Sequence, residues 1–191
     1  MTQLSIIAGL GNPEDKYERT LHNAGFWFVD AVARKYGGQF RYEKKFDAEC
    51  CKVSIDGNDI WLVKPQSYMN LSGQPVRAML DYYRLDINDL LVAHDEIDLP
   101  PGTVRLKKGG GHGGHNGMRD IFRHLDDTGF LRLRIGIGHP GNSKQVVNYV
   151  LKNPSTQDLD KILDANSQTL KILPTLLDGH LEKAMQQLHT K

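Results

Sequence analysis

The feature that most constrains the fold is an alternation of strand-like and helix-like segments up to about residue 150 of the 191-residue chain. The run LSIIAG at 4–9 has the composition of a short buried strand. The segment AGFWFVDAVARKYGG at 24–38 repeats apolar residues at helical spacing and ends in glycine. Strands that alternate with helices pack as a sheet with helices on its faces. The pattern therefore predicts an α/β fold.

Further elements continue this alternation. A hairpin is expected where ECCKVSI and DIWLVKP flank Asp56-Gly57-Asn58, because these residues tolerate the backbone angles of a tight turn. The other predicted elements are strands over 89–96, 103–108 and 131–138, a helix over 76–84 opened by Gly73 and Pro75, and a helix over 118–125 capped by Asn116.

The C-terminal region has helical spacing only. From Leu159 to Leu188 the apolar residues keep helical spacing, which predicts two helices, with Pro154 and Pro174 as punctuation. No polar linker long enough to separate domains is present. We therefore expect one domain over 1–191: a mixed, twisted β-sheet flanked by helices, with two C-terminal helices.

The composition indicates the cellular compartment of the protein. No apolar run approaches the roughly 20 residues of a membrane span, and the N-terminus has no basic leader, so we expect a cytoplasmic protein with no membrane partner. Cys50 and Cys51 are adjacent in a predicted strand and would point to opposite faces. A disulfide between them would be strained, which favours a reducing compartment.

The net charge of +1 is unevenly distributed. In residues 103–145, Lys and Arg outnumber Asp and Glu by 8 to 3, and this segment contains the glycine cluster GGGHGGHNG at 109–117. A basic segment suits either a solvated surface or a polyanionic ligand. The glycines indicate either a flexible loop or a backbone that must turn sharply or approach a ligand closely.

Several common site motifs are excluded. GLGNPE follows the first strand, but Glu14 stands where a dinucleotide fingerprint needs its third glycine. The glycine cluster lacks the Gly-Lys-Ser/Thr ending of a phosphate loop. His112 and His115 have no further pair of ligands to complete a zinc site, so no metal is expected. Without a G-x-S-x-G elbow, any hydrolysis must use water as the nucleophile.

Activating water requires a base, and a histidine oriented by a carboxylate is the usual one. His22 lies on the loop after the first strand, where α/β sheets place their sites. One of Asp95, Glu96 and Asp98, at the end of another predicted strand, could orient it. Four asparagines in loops could bind a peptide or a ribose through neutral amides: Asn12, Asn23, Asn70 and Asn116. Asn70 and Asn116 could instead cap helices.

Five blocks taken together carry a specific resemblance: GLGNPEDKYERTLHNAG, KPQSYMNLSG, AHDEIDLPPG, GGGHGGHNG and RLRIGIGHPG. In this order and spacing, from about residue 4 to about residue 150, they resemble the bacterial peptidyl-tRNA hydrolases. The helical tail is also similar. Two departures stand out, since Glu14 replaces a glycine usual in the family and Leu21 replaces an arginine.

The resemblance implies hydrolysis of the ester that joins a peptide to the terminal ribose of tRNA, without metal or organic cofactor, by a monomer. It implies that His22 is the general base, that Asp95 orients it, and that Asn12 recognises the blocked amino end of the substrate. The residues it implies as contacts of the peptide and the tRNA are Tyr17, Tyr68, Asn70, Asn116 and, for phosphates, Lys107 and Arg134. His115 is expected to make a secondary contact, and His112 has no assigned role.

A second interpretation comes from another class of protein. Plant organelle intron-splicing factors resemble the same family but act as RNA-binding partners of other proteins. A binding partner of this kind is expected to expose an apolar patch, and the sequence shows no surplus of surface apolar residues. This favours the enzyme.

Overall fold

The computed structural model describes residues 3–190, and the strands within that range form one seven-stranded mixed sheet. The strands are β1 (Ile6–Gly9), β2 (Arg41–Glu43), β3 (Ala48–Ile55), β4 (Asn58–Pro65), β5 (Leu90–Glu96), β6 (Val104–Lys108) and β7 (Leu131–Gly136). Their order across the sheet is β2-β3-β4-β1-β5-β7-β6. Strand β1 is parallel to β4 and β5, and β5 is parallel to β7, whereas the outer pairs are antiparallel.

Helices cover both faces of this sheet. They are α1 (Ala24–Tyr36), α2 (Gly73–Tyr82), α3 (Asn116–His124), α4 (Val146–Val150), α5 (Thr156–Leu177) and α6 (Leu181–His189). One apolar layer contains Phe28 of α1, Leu173 of α5 and Ala184 of α6. The layer on the opposite face contains Met79 of α2 and Ile121 of α3. The predicted α/β architecture with a mixed sheet and two C-terminal helices is confirmed.

Local predictions hold for the hairpin and the cysteines. The β3–β4 turn places Asp56 and Gly57 at φ of 49° and 84°, the left-handed angles that a two-residue hairpin turn needs. Cys50 and Cys51 are free thiols, and they lie in opposite apolar layers as strand alternation requires. No helix within residues 3–190 is both long and apolar enough to cross a membrane.

Two local predictions are wrong or incomplete. Pro174 lies inside α5 instead of separating helices; its missing N–H removes one hydrogen bond of the helix, which continues past it and ends at Leu177. The short elements β2 and α4 have no strong sequence signal of their own. Strand β2 forms by pairing with β3, in the register Arg41↔Cys50, so its existence depends on its neighbour.

The start of α1 lies directly on the ends of the central strands. A Cβ atom on Gly25 would lie 2.4 Å from the carbonyl oxygen of Ala93 and 2.6 Å from the amide nitrogen of Leu10, so only glycine permits this approach. Because β1 and β5 are parallel neighbours, their carboxyl ends meet at one edge of the sheet. The loop before α1 is thereby placed over the end of β5.

Candidate active site

Asp95, at the end of β5, is the centre of a buried hydrogen-bonded group. Its Oδ2 lies 2.9 Å from Nδ1 of His22, which is in the loop before α1. Its Oδ1 lies 2.8 Å from Nε2 of His115, which immediately precedes α3. The ring centroids of the two histidines are 5.0 Å apart. One carboxylate therefore orients two imidazoles. His22 and His115 are 73 and 20 positions from Asp95 in the sequence, so the three side chains come together only in the folded chain.

The carboxylate sets the protonation of His22. An ionised carboxylate only accepts hydrogen bonds, so Nδ1 of His22 carries the proton and donates it to Asp95. The Nε2 atom of His22 is then the unprotonated ring nitrogen, and this residue lines a cleft in the surface of the protein. A neutral imidazole with one nitrogen anchored and the other unprotonated is the arrangement of a general base.

Charge and burial act against each other in this group. Burial lowers the pKa of His22, but attraction to the Asp95 carboxylate outweighs it, and the net pKa of His22 is raised above 6.5. Burial raises the pKa of Asp95, but the two histidines outweigh burial and hold the pKa of that carboxyl well below its usual range. Asp95 therefore stays ionised at neutral pH.

His115, rather than Asn116, caps α3. Its Nδ1 accepts hydrogen bonds from the backbone N–H groups of Gly117 and Met118, at 3.1 and 3.2 Å. The predicted cap at Asn116 is wrong, because Asn116 is already the first residue of the helix. Since Nδ1 is an acceptor, Nε2 must carry the proton that is donated to Asp95. Both ring nitrogens of His115 are thus engaged inside the protein.

His94 is a further buried imidazole beside the group. Its Nδ1 lies 2.8 Å from the backbone oxygen of Asp95 and so donates to it, and its ring centroid is 5.1 Å from that of His115. Burial and the neighbouring His115 lower the pKa of His94 to about 4. His94 is therefore neutral at physiological pH and lines the cleft as an uncharged wall.

Asn12 is held in one orientation by three hydrogen bonds. Its backbone N–H and C=O bond the side-chain amide of Asn23, at 2.8 and 3.0 Å. Its side-chain Oδ1 accepts from the backbone N–H of Met69 at 2.8 Å. Because the oxygen is engaged, the Nδ2 group is the end of the amide that remains available. Asn12 thus presents hydrogen-bond donors to the cleft.

The cleft has a volume of about 690 Å³, within the usual range for ligand sites. Seven of the residues that the sequence assigns to the site line it: Asn12, His22, Tyr68, Asn70, Asp95, His115 and Asn116. The opposite wall contains Val146, Val147 and Val150 of α4 together with Leu151. Tyr17, Lys107 and Arg134 do not line this cleft.

The glycine cluster is a wall of the cleft with an unusual backbone. Four of its glycines have left-handed φ values of 59–99°: Gly109, Gly110, Gly113 and Gly114. Side chains other than glycine are strained at these angles. The loop is fastened by Arg132, whose guanidinium donates to the carbonyl of Gly111 at 2.7 Å and lies over the rings of Phe122 and Phe130. Arg132 is only 2% exposed, so it supports the loop and is not part of a basic surface.

The two predicted phosphate contacts differ in their availability. Nε of Arg134 donates to Glu96 at 2.9 Å, so much of its charge is neutralised within the protein. Lys107 is exposed on the edge strand β6 and forms no ion pair within residues 3–190. Tyr17 lies half-buried beside Lys16, whose Nζ is 5.0 Å from the ring centroid.

One group in residues 3–190 has the composition of a metal site. Ligand atoms of His22, Asp95 and His115 lie within 4.8 Å of one another. Coordination through Nε2 of His115 would require that nitrogen to lose its proton, and Nδ1 would then be protonated and unable to accept from Gly117 and Met118. The α3 cap and a metal therefore compete for the same ring, and the group fits hydrogen bonding better than coordination.

Several groups at the site have little or no signal in the sequence. Asn23 is one loop amide among four, and the backbone of Met69, which fixes the amide of Asn12, has no side-chain signal at all. Glu14, the residue that departs from the family pattern, accepts a hydrogen bond from the hydroxyl of Tyr68 across the mouth of the cleft. The adjacency of His94 to Asp95 was visible in the sequence but gave no indication of its buried, neutral state.

Fold and site together define an α/β enzyme whose cleft holds a carboxylate-oriented histidine and several fixed amides. The family model described as peptidyl-tRNA hydrolase matches residues 6–191, and the chain belongs to this family. It is 54% identical to the peptidyl-tRNA hydrolase of Halorhodospira halophila, over 96% of this chain and 95% of that protein. It is 46% identical to the enzyme of Neisseria meningitidis over 98% of both chains. The crystal structure of peptidyl-tRNA hydrolase from Acinetobacter baumannii matches with a TM-score of 0.96 at 43% identity, covering 100% of this chain and 96% of that one.

Proposed function

We propose that this enzyme hydrolyses the ester between peptide and tRNA in peptidyl-tRNA, with His22 as the general base that activates water. Family membership over nearly the whole chain supports the reaction. The observation that carries the assignment of the base is the 2.9 Å contact between Nδ1 of His22 and Asp95, which leaves Nε2 unprotonated. No feature of the site favours the non-catalytic RNA-binding module.

The reaction follows from this arrangement. Nε2 of His22 takes a proton from water, and the water oxygen bonds to the carbonyl carbon of the ester. The bond from that carbon to the ribose oxygen then breaks, and the proton on His22 passes to the ribose oxygen. The products are a peptide acid and a tRNA with a free terminal ribose. Asp95 stays ionised throughout and stabilises the transient imidazolium.

Asn70, which follows β4, and Asn116, at the start of α3, both line the cleft. We assign them to the water and to the carbonyl oxygen on which negative charge develops. Amide N–H groups aimed at such an oxygen stabilise the transition state. We assign His115 a positioning role through Asp95, since neither of its ring nitrogens is available to substrate.

Asn12 distinguishes the substrate from ordinary aminoacyl-tRNA. Its available Nδ2 donors suit the carbonyl of an acylated amine and have no acceptor to offer a protonated amine. An ammonium group beside these donors would lose water without gaining a partner. The fixed amide therefore selects peptidyl-tRNA and N-acylated aminoacyl-tRNA.

The tRNA end would bind around the mouth of the cleft. Tyr68 is 51% exposed there and offers a ring on which an unpaired terminal base can stack, with Tyr17 as a second ring further out. Lys107 and the other exposed cations of the basic segment, Lys108, Arg119 and Arg123, supply phosphate contacts. The catalytic group lies within one chain, which supports action as a monomer. A substrate made by translation supports a cytoplasmic location.

A single assay tests the proposal: release of free tRNA from an N-acetylated aminoacyl-tRNA with no metal added. Replacing His22 with alanine should lower kcat by about 10² to 10⁴-fold, the usual contribution of a general base, while tRNA affinity is retained. A variant that keeps more than about half of the wild-type activity would show that His22 is not the base.

A further inference from the structure

His94 has a hydrogen-bond acceptor that the proposed reaction does not use. Its Nδ1 donates to the backbone oxygen of Asp95 at 2.8 Å, so Nε2 is the unprotonated nitrogen of the neutral ring and can only accept. Nε2 forms no hydrogen bond with any group of residues 3–190. Of the three imidazoles beside Asp95, His22 and His94 therefore each keep one free acceptor, whereas both nitrogens of His115 are engaged.

The free nitrogen of His94 opens into the cleft. His94 is only 5% exposed, and it lines the cleft together with His22 and His115. Within residues 3–190, the side-chain nitrogens and oxygens that are both closed to water and unpartnered belong to Arg132 and Asn166. Nε2 of His94 has no partner and is not one of these atoms, so water reaches it. A ligand that displaces this water must offer a donor, or the acceptor is left unsatisfied.

The ring of His94 is held in one orientation. Val92, two residues earlier on β5, lies in the apolar layer that contains α3, and strand alternation places His94 on the same face of the sheet. There its ring packs edge-on against His115, with centroids 5.1 Å apart and an angle of 68° between the rings. This contact and the hydrogen bond of Nδ1 set the position of Nε2 before any substrate binds. An acceptor that is fixed in advance favours one position of the donor.

We propose that Nε2 of His94 accepts a hydrogen bond from the free hydroxyl of the terminal ribose, next to the esterified oxygen. His94 is then a specificity-determining residue that selects an RNA end. This inference rests on the proposed function, in which the acylated amine lies against Asn12 and the tRNA phosphates contact the basic segment. Besides the attacking water, the reacting end of the substrate has two donors, this hydroxyl and the N–H of the acylated amine.

The order of the strands favours the hydroxyl over the N–H. Asn12 follows β1, His94 belongs to the neighbouring strand β5, and Lys107 lies on β6, two strands further in the same direction. The ribose has the same intermediate position in the substrate, between the acylated amine and the phosphates. A ribose hydroxyl is also the group by which a protein distinguishes RNA from DNA at a given site.

The test compares two N-acetylated aminoacyl-tRNAs that differ only in the sugar of the terminal nucleotide, which is ribose or 2′-deoxyribose. A neighbouring hydroxyl also accelerates ester hydrolysis in solution. The ribose-over-deoxyribose ratio of kcat/KM is therefore divided by the same ratio for hydrolysis by hydroxide alone. We expect a corrected ratio of about 10 or more for the wild type, because the deoxy substrate leaves the buried acceptor without a partner.

A corrected ratio of about 1 for the wild type would overturn the proposal. Failure of the wild type to hydrolyse the ribose substrate would instead refute the proposed function.

Two substitutions of His94 form a matched pair. The amide of asparagine can replace Nδ1 as the donor to the backbone oxygen of Asp95, but it does not reach the position of Nε2. Glutamine reaches that position and offers an amide oxygen as the acceptor. We expect His94→Asn to lose the corrected preference by lowering kcat/KM for the ribose substrate, and His94→Gln to keep most of it. Equal losses on both substrates in His94→Asn would show a purely structural role and overturn the proposal.

Nitrogen NMR of isotopically labelled wild-type protein observes the atom directly, with the spectrum of His94→Asn assigning the resonances. In the free enzyme, Nε2 of His94 should have the resonance of an unprotonated nitrogen. An RNA hairpin with a single-stranded 3′ end should shift this resonance towards that of a hydrogen-bonded acceptor. The same hairpin ending in a 2′-deoxynucleotide should shift it much less. Equal shifts with the two hairpins, or a proton on Nε2 in the free enzyme, would overturn the proposal.

Discussion

Replacing Asn12 with aspartate should reverse the preference between acylated and free aminoacyl-tRNA. Aspartate has the same shape, and one of its oxygens can still accept from the backbone N–H of Met69, as Oδ1 of Asn12 does at 2.8 Å. The local fold is therefore kept. The other carboxylate oxygen replaces the Nδ2 donors, so the cleft offers an acceptor and a negative charge where it offered donors.

The size of the effect follows from the two hydrogen bonds involved. Loss of a donor to a buried amide carbonyl costs about 1–3 kcal/mol, because the carbonyl loses water and gains no partner. A new charge-assisted bond to the ammonium contributes about 1.5–3 kcal/mol. Both act on the ratio of kcat/KM for N-acetylated over free aminoacyl-tRNA. A change of about 2.5–6 kcal/mol corresponds to a fall of roughly 10² to 10⁴-fold in this ratio.

The assay measures both substrates with one tRNA and one amino acid near pH 6.5, where the α-amine is largely protonated. The control Asn12→Ala removes the donor without adding a charge, so it should lower kcat/KM for the acetylated substrate and give no gain for the free amine. A ratio that changes by less than about threefold in Asn12→Asp would refute this role for Asn12. Discrimination would then have to lie with Asn70 or Asn116.

Other perturbations have equally definite outcomes. The pKa of His22 is raised above 6.5, and only the neutral ring acts as a base, so kcat/KM should fall as pH decreases through a midpoint above 6.5; a flat profile from pH 5.5 to 8 would contradict this. In Asp95→Asn the amide N–H₂ can donate to Nδ1 of His22 and force the proton onto Nε2, so kcat should drop, but by less than in His22→Ala, and wild-type turnover would exclude the orienting role. Nε2 of His189 accepts a hydrogen bond from the backbone N–H of Leu106 on the edge strand. Burial, and to a lesser extent the charge of Arg105, lowers the pKa of His189. Neutral His189 therefore stabilises the fold at neutral pH, and this contribution is lost as the pH falls below about 6.5. The Tm of the wild type should therefore decrease more than that of His189→Gln between pH 7.5 and 5.5. Equal decreases in Tm would show that His189 does not contribute to the pH dependence of stability.

Periodicity in the sequence was sufficient for the architecture because it is a local property. The apolar spacing of α1 and the turn residues Asp56 and Gly57 specify a helix and a hairpin whatever lies around them. The sequence failed where an element depends on a distant partner. Strand β2 exists because β3 pairs with it, and α3 is capped by His115 because the imidazole is also held by Asp95.

The properties of the candidate site also fall into two groups, those that the sequence predicts and those that depend on tertiary contacts. The residue types and their order identified the family and, through it, His22, Asp95 and Asn12. Only the tertiary structure decided which atoms these residues offer: which nitrogen of His22 is left unprotonated, which end of the Asn12 amide is free, and that Glu96 neutralises Arg134. These properties are set by hydrogen bonds to groups 38–73 positions away in sequence. Such bonds form only when parallel strands bring their ends together, and no local pattern records them.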